Sequence, residues 1–569
     1  MISKPDIFLK YMDNLRNSLL LIIFLFGTNL KAQDLSDLKN TKPVTFHGSI
    51  GTKLNLYGAD GIPSRQDPFT YGFDANATIT LYGISMPFSF TWYNRNKSYS
   101  QPFNQYGLSP KYKWITGHFG YRSVSFSEFT LNGHTFLGAG VEMTPGKWRI
   151  GALYGKFNQN SDYDPYKAKK IPLLTRKGWA VKVGYGTENS FLDLSALRIA
   201  DNDKKYQPSP DPDLPTPEQN FALGIHGKIT IIKNLTLEAE GAVSVITNNS
   251  LAGDLKSNND KWLSMAGSFI NINQTSEHFS AFKSNLKWKV SKTITSGLEY
   301  KRIDPGYNSM GAYFFNTDLE NININQSVFL FKNKMNLHGS LGLQHDNLDH
   351  SKKFTSKRAV GAITMSYQIN QKFGIDANYN NFTTNQRAGT MAIIDTLKLY
   401  QVNKSYSLTP RFMVANEKRS HLLMFVYNNM ALDDKNKKTA NQTETNTTIM
   451  NFTYSLGLIP AKLNITTSLN STKLKNNLYQ NTMEGITIGL NKMLASDKIT
   501  LSWNNSFMSN KINSDKGSVF NTAFAGGFRI SQHQSINLSV YYTSNKFASG
   551  SATPSYNEYR GDFSYVYSF

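Results

Sequence analysis

Gly178–Tyr185 reads GWAVKVGY, with Trp179, Val181, Val183 and Tyr185 at alternate positions and Ala180, Lys182 and Gly184 between them. Side chains of an extended chain point alternately to opposite faces. The segment therefore has one apolar face and one small or basic face. The same reading extends outward along the chain. In Lys147–Tyr154 (KWRIGALY), Trp148, Ile150, Ala152 and Tyr154 oppose Lys147, Arg149 and Gly151, and Leu153 breaks the rule. In Phe221–Ile231, Phe221, Leu223, Ile225, Ile229 and Ile231 oppose His226, Lys228 and Thr230. In Leu286–Val290, Leu286, Trp288 and Val290 oppose Lys287 and Lys289. Helical periodicity is almost absent beyond Thr45, so the chain is all-β.

A soluble β-sandwich also alternates. Three features favour a transmembrane antiparallel up-and-down β-barrel instead. The strand-like runs are about 10–15 residues long, enough for a tilted bilayer crossing. Trp and Tyr cluster at the ends of the apolar faces, as interfacial girdles do. Connections alternate between tight turns (Lys233-Asn234, Ser291-Lys292) and long loops (202–218, 248–276, 304–324), the pattern of periplasmic turns and extracellular loops. Composition agrees: charged residues are only 18% and aromatics 13%, as suits a wall wetted inside and greasy outside. Runs long enough for a membrane helix do not recur.

The strand count from Pro68 to Phe569 is about 24, within a range of about 22–26 for an even-numbered bacterial barrel. The run 45–58 (TFHGSIGTKLNLYG) reads as one strand more and leaves the parity open. Residues 60–143 are atypical, dense in Pro, Gly and aromatics. By parity the stretch 96–110 is a long periplasmic connection, read either as a constriction folded into the lumen or as a bent or bulged strand. Over 130–143, Leu131, Leu137, Ala139, Val141 and Met143 are expected to face lipid, and Asn132, His134 and Glu142 the lumen.

Both ends of the chain fit export to an outer membrane. Residues 18–27 (SLLLIIFLFG) have the length of a signal-peptide hydrophobic region, preceded by Lys10 and Arg16. Cleavage is expected after Ala32, so residues 1–32 read as signal peptide, 33–44 as a short periplasmic segment and 45–569 as barrel. The chain has no cysteine, which excludes disulfides, thiolate metal sites and an N-terminal lipid-modified cysteine. The last residues are GDFSYVYSF, with Phe563, Tyr565, Tyr567 and the terminal Phe569 alternating.

Those terminal residues resemble the assembly signal of bacterial outer-membrane barrels. Together with LKAQ at the signal-peptide end and the segment NQYGLSPKYKWITGHFGYRSVSFSEFTLNGHTFLGAGVE, they make the chain resemble the large outer-membrane barrels of Bacteroidota, in a family without established function. The resemblance implies an outer-membrane location, contact with membrane lipids and lipopolysaccharide, and insertion by the barrel assembly machinery. It is less like the TonB-dependent receptors, whose plug domain precedes the first strand. Here only residues 33–44 do, which leaves room for a separate plug or accessory protein.

Chemistry for catalysis is sparse. HExxH, GxSxG and GxxxxGK[ST] do not occur, no cofactor is implied, and no metal site is expected; His345, Asp346, Asp349 and His350 read as a solvated loop. The net charge of +21 is the functional hint. Lys147, Arg149, Lys182, Lys228, Lys287 and Lys289 fall on expected lumen faces, where they would favour anionic solutes. Nucleic-acid binding is excluded by the lack of a compact basic domain. Three functions follow in order: a passage for anionic or neutral solutes, a structural or accessory barrel in an export or assembly complex, and a barrel-embedded hydrolase. A barrel of this strand number has a wide lumen, to be narrowed by loop 248–276, loop 304–324, the stretch 96–110 or a partner.

Overall fold

The computed structural model describes residues 44–94, 104–157, 174–202, 216–255, 259–312, 316–352, 354–388, 400–548, 551 and 553–569. The expected signal peptide and all of 33–44 but Val44 lie outside the described residues. Within them the chain is a closed antiparallel barrel of 26 strands. Consecutive strands pair, and the barrel closes where Val44–Asp60 meets Tyr556–Ser568, from Ser49 opposite Ser568 to Asp60 opposite Asn557. A closed barrel leaves no unpaired edge, which is what lipid requires of backbone amides and carbonyls.

The expected count of about 24 is two short of the observed 26. One added strand is Val44–Asp60, the run left open at 45–58. The other is broken into Gln105–Leu108 and Lys111–Tyr112, both lying between Ile84–Tyr93 and Ile115–Ser123. The break falls at Pro110, which has no amide hydrogen to give to a ladder. The stretch 96–110 is therefore not a periplasmic connection; its second half is bent wall, and residues 95–103 lie outside the described residues. With these strands in place every connection at one end of the barrel is a turn of two to four residues. At Tyr82-Gly83 both residues have positive φ (+47° and +82°), the signature of a tight hairpin. The other end carries the long loops.

The outer face is an apolar belt. Tyr185, Leu194 and Ile225 stand 54%, 56% and 49% exposed, far too much contiguous apolar surface for water. The belt is flanked by aromatic pairs such as Trp148 against Tyr185. The described part of the connection after Leu235–Thr247 packs on this outer face through residues 263–270 rather than in the lumen, contrary to one expected constriction. Its short helix, Lys261–Ala266, is capped by Asp260, which accepts from the Trp262 and Leu263 amides. Leu263, Ala266 and Ile270 pack on Phe221, Val245 and Trp179 of the wall.

Candidate functional site

Two connections at the long-loop end turn inward. The strand expected over 130–143 is wall only from Thr135 to Met143. Residues 124–134 leave the wall after Ser123 and fold into the lumen. Leu131, expected to face lipid, is fully buried there. The loop closes on itself through the Phe126 amide, which donates to the Leu131 carbonyl at 2.9 Å. The Gly133 amide donates to the Ser125 hydroxyl at 2.9 Å. Gly133 has φ +66°, a conformation that favours glycine.

Residues 304–312, which follow Ile294–Ile303, meet it. The Tyr307 hydroxyl donates to the Phe129 carbonyl at 2.7 Å, and the Ser309 hydroxyl to the Thr130 carbonyl at 2.5 Å. Gly311-Ala312 pairs in parallel with Leu131-Asn132. A Cβ on Gly311 would stand 2.5 Å from the Thr130 carbonyl oxygen, so only glycine permits the approach. The Met310 amide donates to Asn220 Oδ1, and Asn220 Nδ2 donates to the Ser244 hydroxyl and the Val245 carbonyl. Beneath these bonds lies a dry core in which Val124, Phe126, Leu131 and Met310 pack on inward wall residues Phe136, Leu153, Phe157, Leu197, Ile199 and Ile246. A second cluster joins Phe129 and Tyr307 to Ala281 and Ile303. Burying each large apolar side chain contributes about 1.5–3 kcal/mol, so the pair of loops is anchored, not draped.

Charges ring the loop tip. The Glu128 carboxylate accepts from Lys283 at 2.9 Å and Lys301 at 2.8 Å. Its backbone amide donates to Glu240 at 2.5 Å. Burial works against the charged carboxyl, but the Lys301 and Lys283 ammoniums outweigh it and hold Glu128 below the usual carboxylate range. Burial pushes the Tyr307 hydroxyl far up, so it stays a donor. A cavity of about 460 Å³ opens beside the loop, lined among others by Phe126, Glu128, Arg149, Lys182, Asp193 and Glu240.

The expected lumen cations divide into two groups. Arg149 makes a bidentate pair with Asp193 at 2.7 and 2.9 Å. Lys228 stands 3.5 Å from Glu238, and the Lys182 ammonium sits 5.0 Å over the Phe126 ring. Arg149 and Lys182 line the cavity beside the inward loop, and Lys228 lies farther toward the short-turn end. Lys147, Lys287 and Lys289 are exposed, close to the short-turn end, and no ion pair among the described residues engages them. Sequence reading missed Glu128, Lys283, Lys301 and Tyr307. The terminal aromatics sit at the closing seam, with Phe563 opposite Leu54, Tyr565 opposite Thr52 and Tyr567 opposite Ile50. Phe569 stacks on Phe46 at 4.3 Å and exchanges two backbone bonds with Gly48.

The remaining inner wall is neutral and polar over much of its arc. Asn451 donates to Asn470, Asn470 to Thr487, and Thr543 to Asn521, at 2.8, 3.0 and 2.9 Å. Among the described residues no three His, Cys, Asp or Glu side chains converge on a metal position. Asp346 and Asp349 instead accept from Ser356 and Ser351.

No protein-family model matches the sequence, and no curated protein does. Among solved structures, the FrpB iron transporter from Neisseria meningitidis (F5-1 variant) is similar at 10% identity and a TM-score of 0.40, over 92% of this chain and 82% of that one. The P pilus usher (PapC) translocation pore is similar at 9% identity and 0.35, over 92% and 99%. Pseudomonas aeruginosa OprD is similar at 11% identity and 0.29, over 67% and 96%.

Proposed function

We propose that this protein is an outer-membrane channel for neutral or anionic hydrophilic solutes, narrowed by its own loops 124–134 and 304–318. The observation that carries the reading is the asymmetry of the lumen. One sector of the wall is covered by a dry, pinned constriction, and the opposite sector offers neutral Asn, Ser and Thr side chains to a solute. In this reading the protein supplies its own constriction. Arg149 and Lys228 are offset by Asp193 and Glu238, so anion preference would rest on Lys147, Lys287 and Lys289. Export by a cleaved signal peptide, insertion through the terminal aromatics and kinship with Bacteroidota barrels belong to the same reading.

The test is single-channel conductance of the refolded full chain in a planar bilayer, with reversal potential under a salt gradient. Discrete steps with anion preference support the proposal. A barrel that is folded by heat-modifiable gel migration yet silent would refute it.

A further inference from the structure

We infer that Lys156, Lys177 and Arg198 form a site on the outer face of the barrel for the phosphorylated headgroup of an outer-leaflet glycolipid. The inference rests on the membrane reading above. Three consecutive strands carry it. The outward row of the first runs Trp148, Ile150, Ala152, Tyr154 and ends in Lys156; that of the second runs Tyr185, Val183, Val181, Trp179 and ends in Lys177. That of the third runs Leu192, Leu194, Ala196 and reaches Arg198. The alternate positions, Leu153, Phe157, Leu197 and Ile199, are buried in the lumen core, which fixes the cations on the outside. Each apolar row thus gives way to a cation at the long-loop end, where a bilayer gives way to headgroups.

The register brings the three together. Lys156 lies directly opposite Lys177, and Arg198 lies opposite Trp179, one diagonal step from Lys177. Directly opposed side chains have Cβ atoms about 4.5–5.5 Å apart and diagonal ones about 7–8 Å, so one phosphate is within reach of all three. Opposed like charges are destabilising, and among the described residues no carboxylate pairs with any of them. Both lysines are exposed. Arg198 is oriented by its Nε, which donates to the Phe269 carbonyl at 3.1 Å, leaving its two terminal nitrogens for an anion. Phe269 belongs to the loop held on the outer wall, stacked on Phe221 at 4.3 Å. That loop also exposes Trp262 and Met265, an apolar ledge suited to acyl chains. Phosphate between basic side chains, with hydrocarbon below, is the chemistry of a phosphorylated glycolipid.

The experiment uses the full-length barrel in detergent and native mass spectrometry or fluorescence titration. The probes are a bis-phosphorylated acylated glucosamine disaccharide, its dephosphorylated form, phosphatidylglycerol and inorganic phosphate. The phosphorylated glycolipid is expected to bind best. The triple variant Lys156→Ser, Lys177→Ser, Arg198→Ser should bind it on the order of a hundredfold more weakly, since each cation near an anionic surface contributes about a fivefold step. Lys287→Ser with Lys289→Ser should bind as the parent does. Heat-modifiable migration checks folding of every variant. Equal binding by the triple variant, by the dephosphorylated lipid or by phosphatidylglycerol would overturn the site, as would binding of inorganic phosphate alone. The readout does not depend on conductance, so a silent channel and a missing lipid site are distinguishable.

Discussion

Replacing Tyr307 with Phe removes one oxygen from the centre of the constriction. In the parent that hydroxyl donates to the Phe129 carbonyl at 2.7 Å, and both residues are almost fully buried. The variant keeps the ring and its packing but leaves a buried carbonyl without its partner. Such a loss costs about 1–3 kcal/mol, which multiplies the open fraction of the paired loops by about 5- to 150-fold. The chain has no cysteine, so Ser127→Cys supplies a single probe. Ser127 is 5% exposed and reacts with a thiol reagent only when the loop lifts. If opening is fast relative to labelling, the rate reports the open population. Ser127→Cys should label slowly in the parent background and about 5- to 150-fold faster with Tyr307→Phe. Equal rates in the two backgrounds would refute the claim that this bond pins the loops.

Gly311→Val should prevent the parallel pairing with Leu131, so the Ser127→Cys probe labels at a rate near that of an open loop while heat-modifiable migration shows an intact barrel. The Glu128 ion pairs should be pH-dependent with a definite sign. Its carboxyl is held below its ordinary value, so the contribution is fully present above about pH 4.3, the unfolded value. It is lost as pH falls through the lowered folded value; labelling that already accelerates near about pH 6 would contradict this. Lys287→Glu with Lys289→Glu should move the reversal potential toward cation preference, and an unchanged potential would remove these lysines from the conduction path. Phe569→Ala loses the Phe46 stack at the seam, and the yield of heat-modifiable barrel in outer-membrane fractions should fall several-fold; an unchanged yield would argue against the assembly role.

The lipid-facing half of each strand was legible because the bilayer imposes one rule, apolar at every second position, on nearly every strand. The constriction was not, because an inward hairpin with period-two spacing looks like wall. In Val124–His134, Val124 and Phe126 alternate, and Phe129 and Leu131 do so again, and nothing local shows that the alternation faces a dry lumen core. One signal was present. Leu153 broke the pattern, and Leu197 and Ile199 make their strand apolar on both faces near one end. Wall residues apolar on the lumen side have something to pack against. The broken strand at 105–112 escaped for a different reason. Pro110 reads as a loop residue, and it occupies a wall position only because the ladder is interrupted there.

The bond from Tyr307 to Phe129 spans 178 residues of sequence. Every strand from Thr135–Met143 to Ile294–Ile303 lies between the two loops, and these strands supply the inward side chains on which the loops pack. A contact of such long sequence separation carries a loop-closure cost that the ordered chain between its ends offsets. The inward loops therefore lean on the staves from Thr135–Met143 to Ile294–Ile303, whose inward side chains they cover. Hoop closure between Val44–Asp60 and Tyr556–Ser568 lies elsewhere on the circle, so the staves that hold the inward loops and the staves that seal the hoop are separate sets.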